Sequence, residues 1–248
     1  MDWSDQGFVL SARRHGESSV ILSLLTEEHG RHAGMVRGGQ SRRHRAVLEA
    51  GNFVAATWRA RLEEHLGNYT VELEIGYAAR VLDRADRLAA LSSLCAILDN
   101  CLADREPLPG LFASTAQLIN ALEDQPFAAQ YVLWELGLLG ELGFGLDLSS
   151  CAATGVVEDL VFVSPRSGQA VSAEAGAPYR DKLLPLPAFL KGEAGASADD
   201  VLDGLRLTGY FLERYVFQPQ DRRMPDARER LIVLLRRSAD KGLLDLDA

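Results

Sequence analysis

Arg31, Arg37, Arg42, Arg43, Arg45, Arg59 and Arg61 lie between positions 31 and 61 with Glu49 as the only acid among them. A guanidinium is a planar, permanently charged fork of donors that matches a phosphate. This island sits in a chain whose formal net charge is −9. Like charges crowded together repel, so the island implies either a well-solvated loop or a surface for a polyanion, most commonly nucleic acid. All but three of the 26 basic residues are arginine, the exceptions being Lys182, Lys191 and Lys241. Phosphate binding fits that bias, but so does a GC-rich genome.

Other chemistry is missing from the sequence. There is no G-x-x-x-x-G-K-[ST] loop and no G-x-S-x-G elbow. The glycines at 140–145 follow a helical pattern rather than a strand, against a dinucleotide site. All five histidines precede residue 66 and all three cysteines follow residue 94. His32 and His44 flank arginines and read as basic surface, while Cys95 and Cys101 fall on or beside an apolar helical stripe as small core residues. No catalytic residue, metal site or cofactor is expected, and the chain reads as a non-enzyme.

The elements that must position the arginines are short strands. Gly7–Leu10, Ser18–Thr26, Arg31–Arg37, Gly51–Trp58 and Tyr69–Ile75 are apolar or alternating runs bounded by turn residues. In the last, Val71, Leu73 and Ile75 fall on one face and Glu72 and Glu74 on the other. Five such strands fit a small closed barrel of the OB type. The loop 38–45 then joins the third and fourth strands; its glycines and charges suggest mobility. Alternation puts Arg59 and Arg61 on one side of the fourth strand, opposite Ala60.

After residue 80 the period changes to that of helices. Leu88, Leu91, Cys95, Leu98 and Leu102 form one stripe, Leu111 to Leu122 a second, and Tyr131, Trp134 and Leu138 a third, ended by Gly143 and Gly145. Residues 160–171 read as a hairpin around Ser164–Gly168, and 173–196 as an irregular connection. Ser197 and Asp200 open a further helix as a capping box, and Pro225 a last one. The fold class is α+β, with a barrel domain at 1–79 and a helical domain at 80–248 that carries a hairpin insertion at about 151–175. The first 80 residues balance in charge and the rest supply the whole excess of acid. The acidic N-terminus without an apolar run argues against a signal peptide, and no apolar stretch is long enough for a membrane span. With an odd number of cysteines and no framework spacing, the chain reads as cytoplasmic with reduced thiols.

Five segments, in order, carry a family resemblance: GFVLSARRHGESSVILSLLTEEHGR, GNFVAATWRARLEEHLGNYTVELE, ELGFGLDLSSCAATG, LVFVSPRSGQAVS and GYFLERYVFQPQDRRMPDARERL. The chain resembles the bacterial recombination protein O (RecO) family of DNA repair mediators over nearly its whole length. The resemblance implies an OB barrel followed by a helical domain with a small hairpin. It also implies binding of single- and double-stranded DNA, strand annealing, and recombinase loading in a RecFOR-type pathway. A RecR-type mediator and the acidic C-terminal tail of single-strand-binding protein are the implied partners. Many relatives hold zinc with two C-x-x-C pairs flanking the hairpin. Here those positions read Cys151, Thr154, Ser172 and Ala175, so no zinc is expected. The tail's implied dock beside basic residues finds no Lys or Arg between Arg105 and Arg166. Arg206, Arg214, Arg222, Arg223, Arg228 and Arg230 offer another cationic wall.

An OB barrel binds single strands through a positive groove and aromatic faces. Arg37, Arg42, Arg43 and Arg45 are the first expected phosphate contacts, with Arg59 and Arg61 beside them and Arg31 extending the track. Trp58 and Tyr69 are candidates for base stacking. For Trp58 a place in the barrel core fits equally, since alternation sets it on the Ala60 face; Tyr69 fits either. An RNA-binding OB protein would share these features, and so would an adaptor whose basic island meets acidic proteins.

Overall fold

The computed structural model describes residues 1–193, 195–244 and 246. Five strands, β1 (Asp2–His15), β2 (Ser19–Thr26), β3 (Gly30–Val36), β4 (Phe53–Arg59) and β5 (Asn68–Ile75), close into a barrel in the order β1-β2-β3-β5-β4. All junctions are antiparallel except β3 with β5, which meet in parallel at Met35 and Asn68. β1 begins five residues earlier than its apolar run because its first half serves a different neighbour. Asp2–Phe8 pairs with β4, whereas Gly7–His15 pairs with β2. An irregularity between Val9 and Ser11 bends the strand where the two pairings change over.

The barrel core follows the period of two. Val20, Leu22 and Leu24 of β2, Val54, Ala56 and Trp58 of β4, and Val9, Val36 and Tyr69 are all buried. Burying one such side chain contributes about 1.5–3 kcal/mol. The expected clean alternation of β5 fails at one place. Pairing slips by one residue between Val54–Leu73 and Phe53–Ile75, and Leu73 is left 44% exposed.

The segment 38–45, expected to be mobile, is hydrogen-bonded into place. Gln40 donates from Nε2 to the carbonyls of Gly16 and Ser19, both at 3.0 Å, and from its backbone to Ser18 at 3.1 Å. Ser41 then caps a short helix, α1 (Arg42–Val47). Asn52 donates to the carbonyls of Ala46 and Val47, and Leu48 inserts into the barrel core. The glycines and charges signalled a turn, but not the side-chain amides that anchor it.

Short α2 (Tyr77–Arg80) leads to α3 (Ala85–Cys101) and α4 (Pro109–Ala121). α3 does not present the single stripe expected of it. Arg87, Ser93 and Asp99 are buried together with Leu91, Leu94, Ile97 and Leu98, so the helix is enclosed around most of its circumference. The expected boundary at 79/80 marks the change from strand to helix, but compactness does not break there. One unit comprises Met1–Glu123 with Pro225–Leu231, because α3 and α4 pack on the barrel: Phe112 meets Phe8, and Asp99 meets Arg13.

The second unit comprises Asp124–Met224 with Ile232–Ala248. It contains α5 (Ala128–Glu141), the hairpin β6 (Leu160–Val163) and β7 (Ala170–Ser172), and α6 (Ala173–Gly176). β8 (Leu184–Pro185) follows, then α7 (Ala198–Phe211), which runs on into a π turn at Leu212–Phe217. The last helix, α8 (Asp226–Asp240), begins in the first unit and ends in the second. β8 adds a third strand to the hairpin, so the stretch expected to be irregular carries short regular pieces; Ala194 in it lies outside the described residues. The Ser197–Asp200 capping box is formed in both directions. Among the described residues no helix is long and apolar enough to cross a membrane.

One packing relation is open to a simple test. Gly34 of β3 lies under the ring of Tyr69, where an added Cβ would come within 2.4 Å of Cδ2. Gly34→Ala is expected to destabilise the chain by about 1–3 kcal/mol through overpacking, read as a lower urea midpoint with the m-value unchanged. An unchanged midpoint would mean that Tyr69 is not held over β3.

Candidate nucleic-acid interface

α1 lies between two concave surfaces of the barrel. One, of about 410 Å³, is lined by Val36, Arg37, His44, Arg59, Asn68 and residues 69–71. The other, of about 290 Å³, is lined by Arg14, Gln40 and Arg45 with apolar neighbours. Among the described residues no carboxylate lines either one. Between them Arg42 and Arg43 are exposed on α1, whose first turn carries no acid. Arg37 Nε donates to Asn68 Oδ1 at 3.2 Å, which ties β3 to β5 at the groove floor. His44 is fixed by Gly38 and Ser41 within hydrogen-bonding distance of its Nδ1. Asp2 approaches Arg59 from outside at 3.8 Å, but concave surfaces lined by cations and not by acids concentrate positive potential and suit an extended phosphate chain.

Five of the seven expected arginines therefore gather on or beside α1: Arg37, Arg42, Arg43, Arg45 and Arg59. Arg61 is exposed just past the end of β4, outside both concavities. Arg31 is elsewhere in its bonding. Its Nε donates to the Leu102 carbonyl at 2.9 Å, Nη2 lies 2.6 Å from Asp104, and Nη1 lies 3.6 Å from Asp99. With its side chain only 17% exposed, it fastens β3 to the end of α3 instead of extending the track. The sequence showed its charge but not the acids that the helix would bring to it.

Both stacking candidates are buried. Trp58 is 1% exposed and donates from Nε1 to the Leu66 carbonyl at 2.9 Å. Gly67 permits this: its φ is +64° and a Cβ there would lie 2.3 Å from Trp58 Nε1. Tyr69 is buried and its hydroxyl lies 2.8 Å from His32 Nδ1. His32, read as surface from its arginine neighbour, is also buried. Burial first, and then Arg105 and His29, lower its pKa to about 4, so it is neutral at physiological pH. Arg14, Gln40 and Asn68 were missed. The Arg13-Arg14-His15 run signalled Arg14, but it lies before the counted island; the two amides left no sequence signal.

The positions implied for zinc do not suit a metal. Cys151 and Ser172 do face one another: the Ser172 backbone N–H and hydroxyl donate to Cys151 Sγ at 3.3 and 3.5 Å. Ser172 Oγ also accepts from the Ala175 N–H and caps α6. Thr154 hydrogen-bonds the same sulfur. A structural zinc needs about four thiolate or imidazole ligands, and this set offers one thiol, two hydroxyls and a methyl. Among the described residues no group of three or more His, Cys, Asp or Glu could hold a metal ion. Hydrogen bonds from Thr154, then Ser172 and Ala153, lower the Cys151 pKa to about 6, whereas burial and then Asp99 push Cys95 up to about 12.

Residues 1–75 match the family model described as recombination protein O N terminal, and residues 82–224 that described as recombination protein O C terminal. The chain is similar to "DNA repair protein RecO" of Rhodospirillum centenum, 54% identical over 234 residues, 94% of each chain. It is 53% identical to the protein of that name from Rhodospirillum rubrum over 245 residues, covering 96% of this chain and 97% of the relative. The Jannaschia sp. protein of the same name is 48% identical over 243 residues, covering 98% and 99%.

Ser172 should be visible in the thiol's titration. The transition in thiolate absorbance near neutral pH that Cys151→Ser abolishes reports Cys151. Ser172→Ala removes a donor that favours the thiolate, so the midpoint is expected to rise from about 6 toward the ordinary 9.0. Cys151→Ser should abolish that transition. An unmoved midpoint in Ser172→Ala would show that the hydroxyl does not reach the sulfur.

Proposed function

Because the chain belongs to the recombination protein O family, we propose that it serves DNA repair by binding single- and double-stranded DNA and promoting their annealing. The observation that carries this reading is the placement of α1 between two arginine-lined, acid-free concavities on a five-stranded barrel. Guanidinium groups on both flanks of α1 can neutralise two phosphate backbones at once. Lowering that repulsion favours annealing without any base being read, and the reaction needs no nucleophile and no turnover. The protein acts stoichiometrically, in the cytoplasm, as a mediator.

Recombinase loading adds partners. In this reading a RecR-type mediator joins the complex, and the tail of single-strand-binding protein is captured in the helical unit. Arg214 supports such a dock. Its guanidinium lies over the rings of Tyr210 and Tyr215 at 5.9 and 5.5 Å, and Phe144 stacks on Tyr215. An acidic, apolar-ended peptide would find both a cation and aromatic surface there. Arg228, one of the six arginines named for this wall, is 3% exposed and unsuited to it.

The test is anisotropy of a labelled single-stranded oligonucleotide across a salt series. Wild type should weaken steeply with salt, with a slope of about −0.7 per phosphate neutralised. The triple reversal Arg42→Glu, Arg43→Glu and Arg45→Glu should bind at least about tenfold more weakly and flatten the slope by about 2. Arg31→Ala should lower the thermal midpoint and leave the slope unchanged. If the triple variant folds and binds as wild type does, α1 is not the phosphate surface.

A further inference from the structure

Next to the phosphate groove is a third cavity, of about 430 Å³, with a different lining. Trp3, His29, His32 and Trp58 supply rings to its wall, and Arg105 and the Met1 ammonium, which donates to the Ala60 carbonyl, face Asp2, Glu28 and Glu63 as its charges. The cavity and the groove adjoin at one ion pair. Asp2 lines the cavity, Arg59 lines the groove, and the two are paired residues of β1 and β4 with charged atoms 3.8 Å apart.

The aromatic wall is held in advance. Trp3 stacks on His29 with centroids 3.9 Å apart and planes within 9°. Asp5 fixes the far side of that stack: its carboxylate lies 3.0 Å from His29 Nδ1 and accepts the Glu28 N–H at 2.9 Å. Trp58 follows Trp3 at 5.7 Å and is pinned by Leu66. Arg105 sits over Trp58 at 5.9 Å, held by the carbonyls of Glu63 and His65. Trp3 and His29 are only half-buried, so this stack borders solvent.

The charge of the lining selects the occupant. Carboxylates of Asp2, Glu28 and Glu63 repel a phosphate, so the DNA backbone belongs in the groove and not here. A nucleobase is planar and neutral and carries donors and acceptors on its edge. Carboxylates accept from an exocyclic amino group, a guanidinium donates to a ring nitrogen or carbonyl, and aromatic rings meet the base's π surface. We propose that this cavity takes an unpaired nucleobase of the strand whose phosphates follow the α1 groove. The inference rests on the DNA-binding reading and adds a base-dependent contact to it. It also puts the solvent-bordering rings at Trp3 and His29, with Trp58 behind them and Tyr69 outside the lining.

The test compares a short oligodeoxycytidylate with an abasic strand of equal phosphate count, using the full chain and following anisotropy and tryptophan emission. Wild type should prefer the base-bearing strand by about tenfold and show quenched emission with it alone. His29→Ala and Trp3→Leu should lose that preference yet retain the salt slope; His29, on the surface, guards against a Trp3 variant that misfolds. Equal binding of both strands by wild type overturns the proposal, and so does equal weakening of both strands in the variants. Quenching by an arginine-rich peptide with no base preference overturns it in favour of a basic protein segment. Failure of wild type to bind either strand would instead sink the DNA-binding reading itself.

Discussion

β1 hydrogen-bonds to β4 along its first half and to β2 along its second, and that double pairing closes the barrel. Closure fixes where the basic residues emerge. It sets Arg14 at the far end of β1 opposite Val20, and Arg59 at the near end opposite Asp2. Gln40 then clamps the β1–β2 turn from the segment that leads into α1. Without closure the arginines would be a charged stretch of chain; with it they become two concavities on either side of one short helix.

The basic residues divide by what they meet. Arg13 and Arg31 both approach Asp99, a buried carboxylate on α3, and Arg31 reaches Asp104 as well. A buried carboxylate is tolerable only when it is paired, so these arginines fasten the barrel to α3. Arg37, Arg42, Arg43, Arg45 and Arg59 remain on the surface around α1. Their mutual repulsion is screened by salt and relieved by phosphate. The aromatic cavity beside them has the opposite bias, and the Asp2–Arg59 pair marks the border between the two. In the proposed reading, one unit thus offers a surface for the DNA backbone and a recess for a base.

Much of this was legible in the residues. The five strands, the capping box at Ser197 and the arginine density each have a local physical cause, whether alternation, a side-chain oxygen or a charge count. The chain's parity also set Trp58 on the side away from Arg59, where the structure buries it. What could not be read were relations made by closure or by helix docking. Arg31 looked like its neighbours until α3 brought Asp99 and Asp104 to it. The stack of Trp3 on His29 gave no sequence signal, because it joins β1 to the turn between β2 and β3. The Cys151–Ser172 contact likewise spans a hairpin. A serine standing where the family resemblance implies a cysteine reads as a loss, whereas in the fold it donates to the Cys151 thiol.

The central claim is that the surface flanking α1 is where DNA lies. Backbone amide shifts followed by NMR during titration with a short single-stranded oligonucleotide would test it most directly. The account predicts that perturbations concentrate at Arg14, Arg37, residues 40–45, Arg59 and Asn68. Perturbations confined to α5, α7 and their neighbours, with α1 unmoved, would contradict it.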